Sequence, residues 1–252
     1  MDITQAAILA VIGLVGGAWN AIAGGATLFT FPALMAVGLP PVVANATNYL
    51  ALLPSNAAAL PAYREELRGL GKQLAPLLFV SGLGAVTGSI LLLVSDPELF
   101  IVLVPFLIFF ATCLFAFGDK MRSWILRIVG ENRGSLAIYS TLFLSSIYGG
   151  YFGAGLGIVL LAIAQLLGFS DFHIANSIKN LLATSFTILS ILVFGVGGLI
   201  AWPQAIAMMA GSTLGGYAGG RMAKHVNTRY LRGAVIVFGF VLSLVYAIRA
   251  FN

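Results

Sequence analysis

Lys179 stands in an otherwise apolar stretch with Asn176 three residues before it and Asn180 directly after, and Ser177, Thr184 and Ser185 complete the polar side of that stretch. A second polar cluster gathers Asn45, Thr47, Asn48, Ser55 and Asn56, with Asn20 upstream of a Gly24-Gly25 pair. An ammonium and several carboxamides offer hydrogen-bond donors without having to titrate, and the ammonium adds a positive charge. Such a set suits the oxygens of an anion. It does not suit a carboxylate relay, because the interiors of the apolar stretches hold no Asp or Glu.

The spacing gathers these groups on faces. Asn45, Asn48 and Asn56 fall at i, i+3 and i+11, and Asn176, Lys179 and Asn180 at i, i+3 and i+4, each set forming one stripe of a helix. A lysine at the centre of a span costs about 2.5–3.5 kcal/mol on insertion, so it faces a cavity or a counter-charge. Two readings of Lys179 stay open: partner of an anionic ligand, or a side chain that snorkels to a cytoplasmic edge about six residues away. If the chain breaks at Gly24-Gly25 and at Gly155, half-helix N-termini would aim N–H groups at the same point. The candidate binding residues are therefore Asn20, Gly24, Gly25, Asn45, Asn48, Gly155, Asn176, Lys179, Asn180 and Thr184.

Weaker candidates surround them. His173 beside Asp171 could handle a proton or be a solvated loop pair, and Trp19 could line the site or anchor at an interface. Gly84-x-x-x-Gly88 and Gly215-x-x-x-Gly219 read as packing motifs. Gly153-Ala-Gly-Leu-Gly157 has the spacing of a nucleotide loop without its strand context. His173 and His225 stand far apart, which excludes an HExxH zinc site, and there is no GxSxG elbow, so an enzyme is not expected.

The elements that must position these residues follow from composition. Of 252 residues, 60% are hydrophobic and only 8% charged, against about a quarter charged in a soluble domain. The solvent of this chain is lipid. One cysteine, Cys113, excludes a disulfide framework and a CxxC site, and no cofactor is expected. The net charge of +5 fits loops facing anionic lipid rather than nucleic acid. The segment after Met1-Asp2-Ile3 lacks a positive n-region and a cleavage site, so it is expected to remain in the protein.

Apolar blocks run over about 3–37, 45–63, 74–94, 98–117, 135–168, 174–195, 200–220 and 232–250, and nothing in them alternates as barrel strands would. Basic residues cluster at Arg64, Arg68 and Lys72, at Lys120, Arg122, Arg127 and Arg133, and at Arg221, Lys224, Arg229 and Arg232. All three loops should be cytoplasmic. For the last loop to stay inside, the block 135–168 must return to the side it left, as two half-length helices of roughly 15 residues each. The block 3–37 is expected to do the same. Both termini then lie outside.

An offset of 131 residues sets Gly24 on Gly155, Asn45 on Asn176, Gln73 on Gln204, Ser81 on Ser212 and Gly88 on Gly219 without a gap. The basic residues do not follow it: Arg64 and Arg68 meet Gly195 and Leu199, and Arg229 meets Glu98. Like segments therefore end on opposite sides of the membrane. The expected fold is an all-α integral membrane protein, an inverted-topology repeat of two five-segment halves with broken or re-entrant first helices. Residues 1–117 form the first repeat, 118–134 a cytoplasmic connecting loop and 135–252 the second repeat.

Gly16-Gly-Ala-Trp-Asn-Ala-Ile-Ala-Gly-Gly-Ala-Thr-Leu-Phe-Thr-Phe-Pro32, with Gly38-Leu-Pro-Pro41 and Ala44-Asn-Ala-Thr-Asn48, resembles the first repeat of the TauE/SafE family of sulfite and organosulfonate exporters. Gly149-Gly-Tyr-Phe-Gly-Ala-Gly-Leu-Gly157 with Ala175-Asn-Ser-Ile-Lys-Asn180 resembles its second. The resemblance spans essentially the whole chain. It implies secondary transport of sulfite or a sulfonate, in the direction of export, across a bacterial inner membrane. The chain departs from the usual pattern in carrying Asn-Ala-Thr-Asn and Asn-Ser-Ile-Lys-Asn where many members are more apolar. Alternating access is the expected mechanism, with outward movement following the membrane potential or proton handling by Lys179 or His173, and an anion channel is the alternative. The expected partners are a small anion and the bilayer, with no nucleic acid; a homodimer is left open.

Overall fold

The computed structural model describes residues 1–22, 25–57, 60, 64–131, 135–169, 171–222 and 228–251. The first part holds helices α1 (Ile3–Ile22), α2 (Thr27–Ala36), α3 (Pro41–Ala57), a short α4 (Arg64–Leu70), α5 (Leu74–Leu93) and α6 (Pro97–Ala116). A connecting helix α7 (Gly118–Glu131) leads to α8 (Ser135–Tyr151), α9 (Leu156–Leu166), α10 (Phe172–Val196), α11 (Trp202–Met222) and α12 (Thr228–Phe251). Among the described residues there is no strand.

Apart from the charged α4 and α7, these helices form because their residues are largely apolar and a bilayer leaves the backbone no partner but itself. Among the described residues, four are long and apolar enough to cross a membrane, over Ile3–Asn20, Leu74–Leu93, Pro97–Ala116 and Ile174–Val196, and Thr27–Ala36, Leu156–Leu166 and Gly233–Arg249 are shorter apolar helices. Starts are marked by side chains: the Asp96 carboxylate accepts from the Glu98 N–H at 2.7 Å, and Asp171 accepts from the Ile174 N–H at 3.0 Å. Asp171 is thus the cap of α10. The side chain of His173 and all of His225 lie outside the described residues.

The surface inverts the soluble pattern. Phe79, Phe106, Leu144, Leu192, Val237 and Leu244 are exposed, whereas Asn45, Thr47, Ser81, Ser89 and Thr112 are fully buried beside Leu9, Phe31 and Phe100. Large apolar side chains facing outward all around the bundle have a matching solvent only in lipid. The chain is an integral membrane protein.

Both long blocks break as expected, but unequally. The first divides into 20 and 10 residues, and the second into 17 and 11. At 1.5 Å per residue α1 is about 30 Å long, a full span, so equal halves of about 15 residues are corrected. The position of the glycines decides this: the left-handed residues are Gly25 in the first break and Gly153 and Gly155 in the second, all past the middle of their blocks. The connecting segment 118–134, expected as a loop, is helical over Gly118–Glu131, and its Arg122 Nε donates to Gln165 Oε1 of α9 at 2.6 Å.

Helices of the two parts interleave. α1 packs along α11 and α5 along α8; α3 touches α11 and α10 touches α5; α3 meets α10 and α6 meets α12. Exchanging α1 with α8, α3 with α10, α5 with α11 and α6 with α12 turns this set of pairings into itself. Glycines make the two longest contacts possible: a Cβ on Gly215 would fall on the Leu14 carbonyl, and one on Gly88 on the Ile147 carbonyl.

Candidate functional site

Where α2 and α9 begin, α3 and α10 cross, and between them lies a cavity of about 470 Å³. Its walls come from the same few sequence features that break the long blocks. Gly25, φ +79°, turns the chain into α2, whose first residue Thr27 lines the cavity; Gly155, φ +77°, turns it into α9, whose Leu156 and Gly157 line it. Neither helix start is capped by a side chain. The Leu28 and Phe29 N–H groups of α2 bond back to the Gly25 and Ala26 carbonyls at 3.1 and 3.0 Å, and the Leu156 N–H of α9 to the Gly153 carbonyl at 3.4 Å, so what the two starts bring to this one space is chiefly their positive dipole ends.

Lys179 of α10 is the one charged side chain among the described residues lining that space. Its stem runs along the first turn of α9, since its Cδ lies 3.7 Å from where a Cβ on Gly157 would stand. Among the described residues no carboxylate pairs with it, as the absence of acids from the spans requires. Asn176 and Asn180, one turn before it and one residue after, also line the cavity.

The first half supplies the opposite wall. Asn48 is buried; its Nδ2 donates to Thr27 Oγ1 at 3.4 Å, and its Oδ1 has no hydrogen-bond partner. Asn20 Nδ2 donates to Ser55 Oγ at 3.0 Å, and Ser55 Oγ in turn donates to the Leu52 carbonyl at 2.8 Å. Phe115, Phe152 and Phe186 complete the apolar part of the lining. An ammonium, carboxamides and two helix N-terminal dipole ends around this space can hold an anion.

Of the ten candidate residues, Asn20, Gly25, Asn48, Gly155, Asn176, Lys179 and Asn180 surround this cavity. Gly24 lies outside the described residues. Asn45 and Thr184 are buried behind the wall rather than in it: Asn45 Nδ2 donates to the Tyr151 carbonyl at 2.8 Å, and Thr184 Oγ1 has no partner. Trp19 is not in the lining; it stands edge-on to Phe29 with centroids 5.9 Å apart.

Sequence reasoning missed Thr27, Tyr49, Phe152, Phe186 and Thr187 as wall residues. A signal for several of them was present. The 131-residue offset carries Gly25 onto Leu156, Thr27 onto Ile158, Asn48 onto Lys179, Tyr49 onto Asn180, Leu52 onto Ala183 and Ser55 onto Phe186, and all twelve residues line the cavity. Applying the offset to each polar stripe residue in turn points to its partner wall.

A family model described as Sulfite exporter TauE/SafE matches residues 9–246. A "Probable membrane transporter protein" of Haemophilus influenzae is 34% identical over 94% of this chain and 92% of its own length. The "Probable membrane transporter protein YfcA" of Escherichia coli K12 is 28% identical over 94% of this chain and 87% of its own. A "Probable membrane transporter protein ORF9" of a Sinorhizobium species is 26% identical over 94% and 90%. No solved structure matches the chain.

Proposed function

We propose, from the premise that this chain belongs to the sulfite exporter TauE/SafE family and is a membrane transporter, that it exports a small organosulfur anion, sulfite or a sulfonate, by alternating access. The observation that carries this reading is Lys179, the one charged side chain among the described residues of a cavity where two helix starts without side-chain caps converge. The ammonium compensates the charge of the anion, and Asn48, Asn176 and Asn180 donate to its oxygens. Asn45 and Thr184, expected as ligands, stand outside the lining.

The two halves are read as inverted copies in a bacterial inner membrane. The reversed placement of basic residues across the offset supports this, as does the exchange of helix pairings between the halves. With both cavity walls drawn from equivalent positions, rocking one half against the other would expose the site to either side in turn. Impermeant thiol labelling of Asp96→Cys and Gly198→Cys, with Cys113→Ser as background, should modify both from the outside; modification from opposite sides would end the inverted-repeat reading.

The test of function is sulfite efflux from proteoliposomes. Wild-type flux should saturate and should exchange labelled for unlabelled sulfite, whereas an anion channel would pass single-channel currents. Lys179→Ala should abolish flux with the protein still monodisperse in detergent. Flux near the wild-type rate in that variant would remove Lys179 from the site.

A further inference from the structure

A helix that stops inside a bilayer leaves its last carbonyls without an N–H partner, and lipid supplies none. α8 stops at Tyr151 in this way, against the cavity. The Phe152 and Gly153 N–H groups both fold back onto the Tyr148 carbonyl, at 2.9 and 3.0 Å, so the carbonyls of Gly149, Gly150 and Tyr151 run out beyond the helical ladder. Each meets a side chain from another helix. Tyr49 Oη of α3 donates to Gly149 O; Asn45 Nδ2 of α3 donates to Tyr151 O at 2.8 Å; Ser89 Oγ of α5, whose main bond is to Ala85 O at 2.8 Å, lies 3.3 Å from Gly150 O. Beyond the break, Tyr148 Oη donates to Ala154 O at 2.7 Å.

We infer that Asn45 and Tyr49, with Ser89 in support, are positioning residues: from the first half they cap the broken end of α8 and thereby set where Gly153, Gly155 and the start of α9 stand in the anion site. Three features of these residues point this way. Asn45 and Ser89 are fully buried and stand outside the cavity lining, so neither reaches a ligand. The caps sit on consecutive carbonyls, which a packing role alone would not select. The Asn45 amide is oriented by its bond to Tyr151 O at the cost of leaving its own Oδ1 unpartnered, so the donor is the used end. The caps also join α3 to α8 across the two halves, so any movement between halves that strains them moves the α9 start with it. The sulfite-affinity part of this inference rests on the proposed function; the capping part does not.

The experiment uses the full chain in detergent micelles and two readouts: amide hydrogen exchange of the peptide spanning Phe152–Gly157, and equilibrium binding of sulfite. Asn45→Ala removes one cap without touching the cavity. Tyr49→Phe removes only a hydroxyl and keeps the ring against Phe194, 5.4 Å between centroids; because Tyr49 also lines the cavity, hydrogen exchange is its deciding readout and Asn45→Ala carries the binding test. Ser243→Ala is the control: its Oγ donates to the Pro105 carbonyl at 2.9 Å between α12 and α6, a buried side chain to backbone bond of the same kind away from the break. Both cap variants should speed exchange at Phe152–Gly157 and weaken sulfite binding about tenfold each, the equivalent of about 1.4 kcal/mol for one lost bond. Ser243→Ala should lower the melting temperature comparably and leave both readouts at wild-type values. Unchanged exchange in both cap variants overturns the inference, as does equal acceleration by Ser243→Ala. If wild type binds no sulfite while the cap variants still loosen Phe152–Gly157, the capping stands and the proposed substrate falls.

Discussion

The two chain breaks are built on one plan and finished differently. In the first half Gly25 turns the chain into α2, and the wall beside it is neutral and polar: Thr27, Asn48, Ser55 and Asn20. In the second half Gly155 turns the chain into α9, and the equivalent wall positions carry Ile158, Lys179 and Phe186. The same backbone device thus presents hydrogen-bonding groups from one side and a charge among apolar groups from the other. A symmetric pair of lysines would place two cations in one small cavity of low dielectric, where they repel strongly. A symmetric pair of asparagines would leave an anion's charge uncompensated. The unlike residues at these offset-related positions avoid both, which teaches that a similar backbone turn can set the frame while the few unlike residues set what the cavity can hold.

The sharpest way to break this comparison is to move the charge. Lys179→Asn makes the two walls alike and should cut sulfite flux by about 100-fold, the loss of a strong charge-assisted contact in a buried site. Adding Asn48→Lys to that variant returns the cation from the equivalent position and should recover a measurable part of the flux in the same liposome assay. A double variant as inactive as Lys179→Asn alone would mean the two positions do not face one shared centre. Next in size is the backbone itself. Gly155→Ala forces a Cβ to 3.1 Å from the Ala111 carbonyl, and Gly25→Ala to 3.1 Å from the Phe115 ring, both at positive φ. Each should cost about 1–2 kcal/mol in thermal melts, more than Gly38→Ala, which has φ +95° but open space around it. Equal losses at all three would show that the walls exert no steric demand at the breaks. The smallest effect belongs to Ser55→Ala, which removes the acceptor of Asn20 and should raise the sulfite concentration for half-maximal flux about threefold, in line with a net bond of about 0.5–1 kcal/mol. No change there would make Asn20 independent of Ser55.

Much of the fold was legible because charge and hydropathy are one-dimensional. The basic loops, the apolar blocks and the two blocks too long for a single crossing predicted helices close to those observed, and Gly25, Gly153 and Gly155 take up the left-handed conformation that ends one segment and starts the next. Less legible was the inequality of the segments, because nothing local tells a 20-residue helix to continue to Ile22 rather than stop near its middle; its packing along α11 carries it there. The site was legible where a residue is costly in lipid. Lys179 had to face something other than hydrocarbon, and it lines the cavity with Asn176 and Asn180 on the same stripe.

Asn45 shows the limit of that reasoning. It shares a helical face with Asn48 and an equivalent position with Asn176, which made it a candidate ligand, yet its amide is spent on the Tyr151 carbonyl. A buried carboxamide looks the same in sequence whether its partner is a ligand or a stranded backbone oxygen. The sequence by itself determined that this chain lives in lipid, where it breaks, and that one cation must be sheltered, since each follows from the free energy of placing a group in hydrocarbon. Only the tertiary structure decided which polar groups meet the cavity and which close the ends of helices, because that depends on what stands opposite them, and the opposite wall comes from the other half of the chain.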